Sequence, residues 1–130
     1  MATPMPTYAI EFSVEGGCLR AVSTGVIDTL EGAIGLFRDI AVELRRVGAR
    51  TVLIVDETSG IVPDADGFDA LAREMAGEGY EGIRVAYVDV AGTALARVEV
   101  GEIVARIHGY RLRVFDNEAQ AHIWLHYGRD

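Results

Sequence analysis

The 130 residues contain no lysine, one cysteine, one asparagine and one glutamine. Without lysine there is no side-chain amine to act as a nucleophile, form a Schiff base or serve as the lysine of a phosphate-binding loop. A lone Cys18 excludes an internal disulfide and fits a reducing compartment, so the cytoplasm is the expected location. No apolar run approaches the roughly 18 to 20 residues of a membrane span. Met1 to Pro6 has neither a basic residue nor an apolar block, so it reads as a disordered lead and not as a signal peptide or anchor. Basic residues number 12, all of them arginine, against 20 acidic ones, for a net charge of -8. That balance repels phosphate backbones and anionic lipid, and nucleic acid is not an expected partner. Arg45, Arg46 and Arg50 form the one basic cluster, without an aromatic stacking platform, and read as a helix end.

Apolar residues make up 50% of the chain and charged ones 25%, enough for residues 7–128 to fold as a single domain. Heavy use of Ala, Gly, Val and Arg points to a GC-rich bacterial source. Tyr8, Ile10, Phe12 and Val14 alternate with polar or small residues, as in a half-buried strand. Gly16-Gly17 then suits a two-residue primed turn that returns the chain through Cys18 to Thr24 as a hairpin. Leu30, Ala33, Ile34, Phe37, Ile40, Ala41, Leu44 and Val47 recur at helical spacing and predict a helix over 29–47. Asp28 and Glu31 resemble its capping box, and Gly48 a left-handed stop. Thr51 to Val55 is a β-branched and aliphatic run, predicted to be a central strand covered on both faces.

Further helices are expected over 63–77, capped by Asp64 or Asp66, and over 94–107, with Val100, Ile103, Val104 and Ile107 as one apolar stripe. Ile83 to Val88 is a strand between them. Tyr110, Leu112 and Val114 belong to a strand nearer an edge, and Asp116 is expected to cap a final helix through Tyr127. The order ββαβαβαβα implies an α/β fold whose mixed sheet is parallel except at its N-terminal hairpin, with four helices packed over it. Ile10, Phe12, Phe37, Ile40, Leu53, Val55, Val85, Val114, Trp124 and Leu125 are the expected core.

This order, with Thr24-Gly25-Val26-Ile27-Asp28 before the first helix, resembles the STAS domain, the fold of bacterial anti-sigma factor antagonists, and more closely its SpoIIAA-like relatives. The aliphatic strand Val52-Leu53-Ile54-Val55 ending in Asp56 carries the resemblance, as does the stretch from Val114-Phe115-Asp116 to Trp124-Leu125. It covers nearly the whole chain. The family is switched by phosphorylation of a serine in a D-S-S-G stretch at the start of the second helix. Here that stretch is Asp64-Ala65-Asp66-Gly67, and Ala65 has no oxygen to phosphorylate. The resemblance therefore implies the fold and a binding role, without the phosphoswitch.

The surface expected to bind is the Asp56 to Gly67 loop and the start of the second helix, with Asp56, Ser59, Ile61, Val62, Asp64, Asp66 and Phe68 as its residues. Ile61, Val62 and Phe68 among acids suit docking better than chemistry, although all three can instead close the core under a loop. The expected function is a non-enzymatic regulatory module that binds a protein partner, a second copy of the chain among the candidates, and needs no cofactor. One alternative is a lipid or small apolar ligand, which requires a cavity between the second and third helices and the sheet. Another is a Mg²⁺-dependent enzyme using the acidic strand ends Asp56, Asp89 and Asp116 with Asp64 and Asp66. An acidic helix cap explains such residues equally well. The segment from Asp64 is not an EF-hand, since Met75 stands where the loop needs Glu. His122 and His126, four apart on a helix, have zinc-ligand spacing but no evident third ligand, and read as flanks of the Trp124 face. His108 reads as a helix-end residue and Cys18 as a small buried apolar one.

Overall fold

The computed structural model describes residues 7–90 and 95–128. The expected disordered lead over residues 1–6 lies outside them, as does Ala94, the expected start of the third helix. Chain order is β1 (Tyr8–Glu15), β2 (Cys18–Ile27), α1 (Leu30–Val47), β3 (Thr51–Asp56), β4 (Ser59–Gly60), α2 (Ala65–Glu74), β5 (Arg84–Asp89), α3 (Leu95–Ile107), β6 (Arg111–Phe115) and α4 (Glu118–Tyr127). The expected α/β order is present, with the two-residue β4 added. The sheet runs β1-β2-β3-β5-β6, with β4 paired to the end of β2. Only β1 and β2 are antiparallel, while β2, β3, β5 and β6 are mutually parallel.

Glu15 pairs with Cys18 across Gly16 and Gly17, whose φ values of 58° and 79° are those of a primed turn. β2 continues past Thr24 to Ile27, because β4 re-pairs with Val26 and Ile27 after β3 has ended. Gly60 makes this possible. A Cβ there would overlap the Ile27 carbonyl, and its φ of 120° is closed to other residues.

Alternation sorts the strands onto two faces. Leu19, Ala21, Val52, Ile54 and Val85 pack with α1 and α2 in one core. Cys18, Leu53, Val55, Ala86 and Val88 pack under Ala121, Trp124 and Leu125 of α4 in the other. Arg20 donates two 3.0 Å bonds to the Glu118 carboxylate at the start of α4. Arg84 donates to the Trp124, Leu125 and Gly128 carbonyls at its end. α4, the one helix on this face among the described residues, is thus held at both termini.

Several local expectations are corrected. Thr29, not Asp28, caps α1, its hydroxyl accepting from Gly32 N at 3.0 Å. Asn117, not Asp116, caps α4, and Asp116 instead accepts from the Asn117 amide. Of the expected core, Ile10, Phe12, Phe37 and Val114 are only partly buried. The α3 stripe does not face the sheet as a whole, since Val100 and Val104 are partly buried while Ile103 is 58% and Ile107 77% exposed. α3 instead turns Val98, Gly101 and Ala105 inward. Gly101 lets α3 approach α2, because a Cβ there would stand 2.8 Å from the Phe68 ring.

Candidate functional site

Small residues on the inner face of α3 leave space above the sheet. Between α2, α3 and the β3-β5-β6 surface lies a cavity of about 330 Å³. Val85, Tyr87, Leu112 and Val114 form its floor. Phe68, Leu71, Ala72 and Met75 of α2 and Val98, Gly101 and Ala105 of α3 form its walls, and Ile61, Val62 and Pro63 lie beyond the strand ends. The volume falls within the range of about 300 to 1,000 Å³ usual for ligand pockets, and a mostly apolar lining with a few polar groups is their usual composition.

The polar groups gather at the C-terminal ends of the parallel strands, where open α/β sheets place ligands. Ser23, Asp56 and Asp89 each stand in the inward phase of their strand. Asp56 and Asp89 are register partners on neighbouring strands, as are Ser23 and Asp56. Asp56 Oδ1 accepts from Ser23 Oγ at 3.3 Å, Thr58 N at 2.8 Å and Thr58 Oγ1 at 2.5 Å. Its Oδ2 accepts from the Tyr87 hydroxyl. Burial first, and then the charge and hydrogen bond of Asp56, push the Tyr87 pKa well up, so the phenol stays protonated as a donor. Tyr80 and Tyr110 line the opposite end and donate to the Phe37 and Ala72 carbonyls at 2.6 and 2.8 Å.

Asp89 differs from these. It is 9% exposed, and its Oδ2 accepts no hydrogen bond among the described residues. Buried acceptors are normally paired, so an orphan lining a cavity calls for an explanation.

Five of the seven residues expected to bind lie around this cavity: Asp56, Ser59, Ile61, Val62 and Phe68. The other two do not line it. Asp64 caps α2, accepting from Gly67 N at 2.8 Å, and Asp66 lies exposed in the first turn. Ile61 is 64% exposed while Val62 and Phe68 are partly buried, so these apolar residues line a mouth and do not simply plug the core. Asp116 is bonded to Asn117 outside the cavity lining, and among the described residues no three His, Cys, Asp or Glu side chains converge as a metal site. His122 and His126 stack on each other in solvent with ring centroids 6.2 Å apart. His108 bonds Asp69 at 2.7 Å, tying the end of α3 to α2. Cys18 is buried.

Ser23, Tyr87 and the orphan role of Asp89 escaped sequence reasoning. Their signal was a polar residue in the apolar phase of a strand: Ser23 follows Leu19 and Ala21, Asp56 follows Val52 and Ile54, and Asp89 follows Val85. Among the described residues no helix is long and apolar enough to cross a membrane. No protein-family model matches the chain, and neither does any curated protein.

Proposed function

We propose that this chain is a STAS-like cytoplasmic binding module, without catalysis of its own, that takes a small apolar molecule into the cavity between α2, α3 and the sheet. The cavity carries the proposal: it stands where an apolar-ligand variant of this fold requires one, and its walls are chiefly aliphatic and aromatic. Asp56 anchors the strand ends, its two oxygens accepting from Ser23, Thr58 and Tyr87, and so fixes the polar end of the cavity. The strand order, the N-terminal hairpin and the Asp at the end of β3 support the STAS-like reading. A protein partner docking on the Asp56 to Gly67 loop is the second reading, favoured by the exposure of Ile61 at the mouth.

A thermal-shift series with short alcohols and alkanes tests the proposal. A ligand at a hundred times its Kd stabilises the native state by about 2.7 kcal/mol, which for a domain of this size raises Tm by roughly 10 °C. Ala105→Phe, which fills the cavity from α3, should abolish the shift. Asp66→Asn, on the same side of the molecule but outside the cavity lining, should spare it. A shift unaffected by Ala105→Phe, or no shift with any probe, defeats the cavity reading.

A further inference from the structure

We propose that the occupant of the cavity is an amphiphilic amine, its apolar body toward Leu71, Met75 and Tyr110 and its protonated amino group between Asp56 and Asp89. This rests on the cavity reading above and adds the chemistry of the ligand's polar end. Register pairing across adjacent parallel strands puts the two Asp residues about 4.8 Å apart along the hydrogen-bonding direction. Both line the same end of the cavity, and among the described residues no Arg or His lines it. The donors on Asp56 are neutral hydroxyls and one amide, which stabilise a negative charge without cancelling it. Asp89 Oδ2 has no donor at all among the described residues, although it is buried. Tyr80 and Tyr110 are engaged by backbone carbonyls and Asp56 by four donors, so the unmet demand at the lining lies with Asp89.

An ammonium group supplies what this end lacks, three N–H donors and one positive charge. An alcohol supplies a single donor and no charge. A carboxylate would add a negative charge beside two others. Arg97 beside the mouth is exposed and donates to the Val62 carbonyl at 3.3 Å, so an acid could use it only with its head turned outward. The cavity volume of 330 Å³ corresponds to about eleven non-hydrogen atoms at the roughly 30 Å³ of a water in the liquid. An eight-carbon amine is therefore a suitable probe.

Titration calorimetry of the full chain with octylamine, octanol and octanoate at neutral pH tests the proposal. Octylamine should bind at least about tenfold more tightly than octanol, the value of adding a charge to a buried hydrogen bond, and octanoate should bind most weakly. Asp89→Asn keeps the shape and removes the charge, so it should weaken octylamine by about tenfold while octanol is little affected. Ala105→Phe should abolish the binding of both. Octanol matching octylamine, or octanoate binding most tightly, overturns the amine head and leaves the cavity reading standing. Octylamine binding that survives Ala105→Phe places the amine on the acidic surface and also overturns the proposal, as does binding indifferent to Asp89→Asn. If none of the three probes binds, both readings fall. Should Asp89→Asn not fold, the order of the three probes on the native chain decides alone.

Discussion

Replacing Trp124 by Ala removes the largest side chain between α4 and the sheet, and its cost can be worked from the surroundings. The indole is 5% exposed and packs with Phe115 at a centroid distance of 5.9 Å. Truncating a buried aromatic of this kind costs about 3 to 5 kcal/mol. The Arg84 and Arg113 guanidinium groups lie 5.7 and 5.9 Å from the ring, and each such contact adds about 0.5 to 1 kcal/mol. Against this, the indole N–H finds no acceptor among the described residues, so deleting it returns about 1 to 3 kcal/mol. The expected net loss is about 3 kcal/mol, roughly a fifth to three fifths of the stability usual for a folded domain. Urea unfolding followed by far-UV circular dichroism measures it, because the variant loses the chain's single tryptophan as a fluorescent probe. A loss under about 1 kcal/mol with an unchanged m-value would refute the claim that Trp124 seals this face.

Gly17→Val forces a β-branched residue to a φ of 79° and should cost at least about 1 to 2 kcal/mol in the same assay, and an unchanged midpoint would show that the hairpin does not depend on this turn. His122→Gln with His126→Gln should stay within about 0.5 kcal/mol of the parent, since both rings lie in solvent, and a Zn²⁺-dependent rise in Tm seen only in the parent would contradict that. The Arg20 hydrogen bond lowers the Glu118 pKa against an opposing burial effect. Its stabilising contribution is therefore present at neutral pH and lost as pH falls through the depressed folded value. Glu118→Gln should accordingly be slightly destabilised at neutral pH, the effect kept small by the exposure of both partners. That gap should close in acid, and a gap of constant size across the titration would show that the ion pair is not its source.

The elements most legible in the sequence were those whose apolar residues fill space. The alternation of β1, the α1 stripe ending at Gly48 and the aliphatic run of β3 all report packing against large neighbours. α3 misled for the opposite reason. Its inward residues include Gly101 and Ala105, small because they border a void and the Phe68 ring, while the bulky Ile103 and Ile107 face outward. A pattern rule that seeks large apolar side chains cannot see a face whose purpose is to leave room. The caps slipped by one residue because Asp28 and Thr29, like Asp116 and Asn117, are adjacent residues that can both cap a helix, and residue type alone does not choose between them. The Ser23-Asp56-Tyr87 cluster joins three strands through parallel register, a relation between distant segments that no local window contains.

The lopsided covering of the sheet has a consequence for synthesis. Among the described residues three helices lie on one side and α4 alone on the other, so a chain stopped before Glu118 has all six described strands but leaves Leu53, Val55, Ala86 and Val88 bare. Such intermediates present continuous apolar strand surface of the kind that associates with neighbours before it can be covered. The Arg20 and Arg84 side chains stand on the sheet as donors to the carboxylate at the start of α4 and the carbonyls at its end, so the bonds that seat the helix also close this apolar face to other chains.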